Sequence, residues 1–118
     1  MSVSQSTTLL APVVVAVAPT ETTLASFVRD DLKRTERITV QIENSDASQL
    51  FAGTIYRRQT GMTLWAPSPE TWFAAIPAGE SRAADLDVYG TDELEVRGYM
   101  SGLGADITIG AIRVADAP

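Results

Sequence analysis

The chain has no cysteine and no histidine. Without cysteine it can form neither a disulfide nor a thiolate metal site, and this absence is compatible with any redox compartment. Without histidine it lacks the usual general base near neutral pH and the commonest imidazole ligand. Ser-His-Asp and Cys-His arrangements are excluded outright. Any chemistry would fall to carboxylates, Lys, Tyr or Ser alone, so the sequence is read as that of a non-enzyme with no metal and no cofactor. Basic residues are scarce too: nine Lys and Arg stand against fifteen Asp and Glu, for a net charge of −6. No basic cluster offsets this excess, so no nucleic-acid partner is expected.

Long hydrophobic runs are missing as well. The most apolar stretch, residues 9–18 (LLAPVVVAVA), is too short to span a membrane, and no membrane association is expected. No Lys or Arg precedes it, Pro12 interrupts it, and Pro19 would follow any cleavage point. These features argue for a strand over a secretory signal.

What is present is period-two alternation. The 118 residues suit one domain, and a hydrophobic content of 45 % supplies a core. Residues 78–114 read as three strands, 82–89, 93–100 and 106–114. In these strands Ala84, Leu86, Val88, Leu94, Val96, Gly98 and Met100 face inward. Asp85, Asp87, Tyr89, Glu95, Arg97 and Tyr99 face outward. Ile107 and Ile109 alternate, but the apolar set then moves to Ile112 and Val114, which predicts a bulge near Gly110 and Ala111.

Ile38, Val40 and Ile42 mark a strand over residues 37–43, and residues 51–58 make another. Gly53 within it signals a bulge or a close backbone approach. A short strand is expected at 63–65. Pro67 and Pro69 turn 66–71 into a surface connection, and 72–76 resumes as a strand. In residues 22–32, Leu24, Phe27, Val28 and Leu32 fall at helical spacing, but Thr22, Thr23, Phe27 and Val28 favour a strand. A strand near 23–29 is preferred, followed by a charged turn over 30–36.

About eight strands separated by short turns predict an all-β fold. It is an antiparallel β-sandwich, Ig-like or jelly-roll-like, of residues 13–118, with an extended N-terminal arm over 1–12.

Few groupings suggest a site. Asp85, Asp87, Asp92, Glu93 and Glu95 faintly suggest a calcium loop, but the third oxygen ligand and the twelfth-position Glu are lacking. Asp30, Asp31, Lys33, Arg34 and Arg37 read as a solvated loop, or alternatively as a polar patch for a neighbouring subunit. Trp72 and Phe73 are assigned to the core. Trp65, beside a proline-rich loop, and Tyr56 are candidate contact aromatics, for a protein or for a sugar. The polar arm and the Val-rich run after it suit strand addition to another chain, with Leu9, Leu10, Val13 and Val15 as partner-binding residues. The plainer reading is an ordinary first strand with a frayed end.

The succession RITVQIEN (37–44), residues 53–58, Trp65, IPAGES (76–81), DVYGTDELEVRG (87–98) and SGLGADITI (101–109) resembles small β-sandwich proteins of tailed phages. These are the accessory virion proteins that decorate or cement capsids. The likeness covers residues 22–114 and lies in strand order and turn wording. It implies a location on the capsid surface of a virion. It also implies a homo-oligomer, with a trimer favoured, and a partner in the major capsid protein or another virion protein. Another head-tail or tail structural protein, and a carbohydrate-binding sandwich module, are the alternatives.

Overall fold

The computed structural model describes residues 4–28, 32, 35–59, 61–88 and 93–116. Its eight strands are β1 (Ser4–Val17), β2 (Thr22–Phe27), β3 (Thr35–Asn44), β4 (Phe51–Arg58), β5 (Ala66–Ile76), β6 (Ser81–Asp87), β7 (Glu93–Met100) and β8 (Ala105–Asp116). No helix occurs among the described residues.

The pairing is nested. β1 lies antiparallel to β8, β2 to β7, β3 to β6 and β4 to β5. The chain is therefore one long ribbon, doubled back at the loop between β4 and β5 and then rolled. Two further ladders, β3 with β8 and β4 with β7, complete two four-stranded sheets in the orders β1-β8-β3-β6 and β2-β7-β4-β5. This is the double-sheet jelly roll of eight strands. Of the two sandwich types expected, the nested pairing selects it.

The alternating strands bury what their period dictates. Ile38, Val40 and Ile42 of β3, Leu94, Val96 and Met100 of β7, and Ile107 and Ile109 of β8 fill the space between the sheets. Phe51 is fully buried over a pair of facing glycines, Gly53 of β4 and Gly98 of β7. A methyl group on Gly98 would lie 2.6 Å from Phe51 Cε2, and one on Gly53 would lie 2.8 Å from the Arg97 carbonyl oxygen. The close approach expected at Gly53 is thus a cradle for a ring, and overpacking it would cost about 1–3 kcal/mol.

Several expectations need correcting. The three strands read over residues 82–114 are divided between the sheets: β6 and β8 belong to one and β7 to the other. Residues 63–65 are not a strand, whereas 66–71 belong to β5. The prolines are tolerated because β5 is an edge strand, where a missing N–H is harmless on the open side. Its ladder with β4 also breaks between the Thr54–Trp72 and Tyr56–Pro67 pairs, which leaves Pro69 out of register.

The bulge expected in β8 lies elsewhere. Against β3, β8 keeps unbroken register from Val114 to Ile107. Ala111 stays buried and Ile112 is exposed, so parity is never switched. The irregularities fall in β1 instead, between Thr8 and Leu10 and between Leu10 and Val13. Ser4 already pairs with Asp116, so residues 4–12, read as an arm, lie within β1, paired along the far end of β8. Residues 22–27 form a strand, and Leu32 is buried in the segment that follows. The rest of the charged turn lies largely outside the described residues.

Candidate functional site

The register of β4 against β7 sets Tyr56 opposite Glu95, Thr54 opposite Arg97 and Arg58 opposite Glu93 on neighbouring strands of the β2-β7-β4-β5 sheet. There the Arg97 guanidinium stacks on the Tyr56 ring at 4.3 Å and lies 5.7 Å from the Trp65 ring. Arg58 stacks on Trp65 at 4.4 Å. Carboxylates balance both cations: Glu95 sits 2.6 Å from Arg97 Nε, Glu93 sits 2.9 Å from Arg58, and Glu21 is 3.9 Å from Arg97. The Thr23 hydroxyl donates to Glu95 at 2.6 Å, and the Tyr56 hydroxyl donates to Glu21 at 3.2 Å.

Two groups of this cluster, Tyr56 and Glu95, are pushed away from neutrality. Burial and the Glu21 carboxylate raise the Tyr56 phenol. Burial pushes the Glu95 carboxyl up, but the Thr23 hydroxyl and the Arg97 and Arg58 charges outweigh it and hold it below its ordinary value. At neutral pH the Tyr56 phenol therefore keeps its proton and Glu95 stays ionised beside Arg97. Each of the two candidate contact aromatics has a guanidinium group over its ring. The stack pins Trp65, and with it the end of the β4–β5 loop, against the sheet. Two other side chains of that loop are presented to solvent: Leu64 is 82 % exposed and Met62 63 %.

The opposite ends of the strands are tied differently. Asn44, the last residue of β3, is fully buried. Its Nδ2 donates to the Gln49 carbonyl at 2.7 Å and to the Ile76 carbonyl at 2.9 Å, while its Oδ1 accepts from Asp46 N. Its backbone N–H donates to Glu80 and its carbonyl accepts from Gly79. The side chain thus joins the β3–β4 loop to the end of β5, and the backbone of the same residue holds the β5–β6 turn. The Gln49 Nε2 donates on to the Leu103 carbonyl, and Leu50 and Ser101 exchange two hydrogen bonds. This network also presents apolar side chains, Leu50 and Leu103.

The remaining candidate residues are dispersed. Leu9, Leu10 and Val15 are half-buried and pack against the core, while Val13 is exposed. Leu10 also lines a groove of about 310 Å³ on the outer face of the β1-β8-β3-β6 sheet, with Pro12, Thr39, Gln41 and Ile112. Asp85 and Asp87 lie on β6, whereas Glu93 and Glu95 lie on β7, so the acidic group is divided between the two sheets. No group of three or more carboxylates that could hold a metal ion exists among the described residues. Arg37 is exposed on β3. Asp30, Asp31, Lys33, Arg34 and Asp92 lie outside the described residues, as do the side chains of Trp72 and Phe73. The exposed leucines of the loops escaped sequence reasoning. The signal available was an isolated large apolar residue beside a turn glycine, as Leu64 is near Gly61 and Leu103 is before Gly104.

The class defined by this architecture is the two-sheet jelly roll. No protein-family model matches the chain, and no curated protein matches its sequence. Solved structures do match in fold. The SPBc2 prophage-derived protein YomS is 14 % identical, with a TM-score of 0.57, over 98 % of this chain and 96 % of that one. A subunit of Bacillus endospore appendages, described as disulfide-linked pili, is 8 % identical, with a TM-score of 0.55, over 97 % of this chain and 88 % of that one. A chain of infectious bursal disease virus, Gx strain, is 10 % identical, with a TM-score of 0.54; the match spans 98 % of this chain but 32 % of the viral one. At these identities the likeness establishes the fold alone.

Proposed function

We propose that this protein is a structural, non-enzymatic component of a phage virion: a capsid decoration or cement protein that binds the major capsid protein and bridges its subunits on the head surface. The observation that carries this reading is the pair of apolar tips at opposite ends of the roll. Leu64 and Met62 stand at one end, Leu50 and Leu103 at the other, on a molecule whose longest dimension is 48 Å. A bridge needs two separated contact surfaces on a stiff body. Both tips are held by loops fastened to the sheets, which lowers the ordering cost of contact. Bridging stabilises a shell because a ligand that binds only the assembled state shifts its equilibrium. The jelly-roll fold, shared with a prophage protein and with part of a viral structural chain, supports the reading by analogy. A disulfide-linked assembly of the pilus kind is unavailable to a chain without cysteine.

The test is titration onto preformed shells of the cognate major capsid protein, reading both binding and shell melting. The wild-type protein is expected to bind at micromolar concentration or better and to raise the melting temperature of the shell. Leu64→Asp and Leu103→Asp act on opposite tips. Each is expected to weaken shell binding at least tenfold and to abolish the rise in shell melting, while the isolated protein keeps its own stability within about 0.5 kcal/mol. If both variants decorate and stabilise shells as the wild type does, the reading fails.

A further inference from the structure

Each sheet of the roll ends in two edge strands, and an edge strand offers unpaired N–H and C=O groups to any other chain. Proteins guard such edges with charge, proline, bulges or shortness. Three of the four edges here are guarded. β6 has seven residues and carries exposed Arg82, Asp85 and Asp87. β5 contains Pro67 and Pro69 and two register breaks. β2 has six residues and a register break after Thr23.

β1 differs from all three. It is fourteen residues long and contains no charged residue; the first in the chain is Glu21. Its guards, Pro12 and two irregularities, all lie before Val13. Residues 13–17, Val-Val-Val-Ala-Val, hold unbroken register against residues 109–105 of β8 and have no proline, charge or bulge. Val13 is 43 % exposed and Val14 63 %.

We infer that residues 13–17 of β1 pair antiparallel with the same residues of a second copy of this chain, about a two-fold axis at Val15. This joins two four-stranded sheets into one of eight strands. The inference rests on the reading of the protein as one that acts by holding other chains, and it names one such chain. The self-matching pattern of residues 13–17 selects a second copy as the occupant, and no local charge opposes it. Two molecules of net charge −6 repel one another, and along β1 neither carries a charge. A basic partner would find no carboxylate there to pair with. The sequence also fits its own reverse. Centring on Val15 sets Val13 opposite Val17 and Val14 opposite Ala16, so inward-facing residues meet inward-facing ones, with β-branched Val–Val pairs on the inward face and Val–Ala pairs on the outward one. Because the contact is isologous, it closes at two copies. It yields a two-fold unit, where the likeness to phage decoration proteins implies a three-fold one.

The absence of cysteine gives a direct test. In the full chain, Val15→Cys places each new thiol beside its twin on the axis, within disulfide reach. Val13→Cys sets its thiols about four residues apart along the strands, beyond reach. Oxidation is expected to give a covalent dimer with Val15→Cys and none with Val13→Cys. Wild-type protein at micromolar concentration is expected to have twice the 12.6 kDa chain mass in solution. Val14→Lys, at an exposed position, is expected to raise the dimer dissociation constant at least tenfold with an unchanged circular dichroism spectrum. A wild-type monomer or trimer, or equal crosslinking by both cysteine variants, overturns the inference. A dimer that ignores shells upholds the pairing and removes the shell-bridging reading. A monomer that decorates shells does the reverse.

Discussion

The two ends of the roll each present exposed leucines, yet they are fastened by opposite means. At one end a buried amide, Asn44, satisfies three backbone groups from two segments. At the other, partly exposed arginines lie on aromatic rings and hold Trp65 to the sheet. The first device works inside the protein, where an unmet hydrogen bond carries its full desolvation cost. The second works at the surface, where water competes and each contact is weak. Two loops of similar appearance should therefore differ widely in what a single substitution does to them.

Replacing the amide tests the larger half of this contrast. Asn44→Ala removes both donors to the Gln49 and Ile76 carbonyls and leaves a small void. It is expected to destabilise the protein by about 3 kcal/mol, or roughly 10 °C in melting temperature for a domain of this size. Urea denaturation checks it. A loss below about 1 kcal/mol would mean that the β3–β4 loop and the end of β5 are held by something other than this side chain.

The contrast also marks what could be read from the amino acids. β3 and β7 were legible because each has one wet and one dry face, so Ile38, Val40, Ile42, Leu94 and Val96 announce their own burial. β5 was not, since Pro67 and Pro69 argue against a strand unless it is known to lie at an edge, and edge position is a property of the whole sheet. The bulge was misplaced because Ile112 is large and exposed while Ala111 is small and buried, the reverse of what size alone suggests. The nested pairing joins residues as distant as Ser4 and Asp116, and nothing local encodes it. The same limit applies to the candidate site. Tyr56 and Trp65 were recognisable as aromatics outside a clear core, but their arginine partners follow from the β4–β7 register. Asn44 opens a run of small polar residues in the sequence, and its burial depends on the loops that fold over it.

The smaller half of the contrast is tested at Arg58. Arg58→Ala removes a stacked, ion-paired guanidinium that is only partly buried. The expected cost is about 1 kcal/mol or less. Its main consequence should be local: faster amide exchange in the 59–65 loop and a red-shifted Trp65 fluorescence maximum, with the exchange of residues 44–50 unchanged. A global loss matching that of Asn44→Ala would erase the distinction between the two ends.

The smallest expected effect lies at the Asn44 end and depends on pH. The Ser48 and Gln49 backbone N–H groups donate to Asp46 Oδ2 at 2.9 and 2.8 Å. These bonds favour the ionised form and hold the Asp46 carboxyl below its ordinary value of 3.8. A group whose value is lowered by folding binds its proton more readily in the unfolded chain. Its stabilising contribution is therefore present above 3.8 and is lost as the pH falls through the lower folded value. Because the carboxylate is exposed, the loss should loosen this loop without unfolding the sandwich. The Ser48 and Gln49 amide resonances are expected to titrate together, with a midpoint below 3.8. Asp46→Asn, which keeps an acceptor but no charge, should abolish that step. A midpoint at or above 3.8 would show that the two N–H bonds do not favour the carboxylate, and that the tying of this end relies on the buried amide alone.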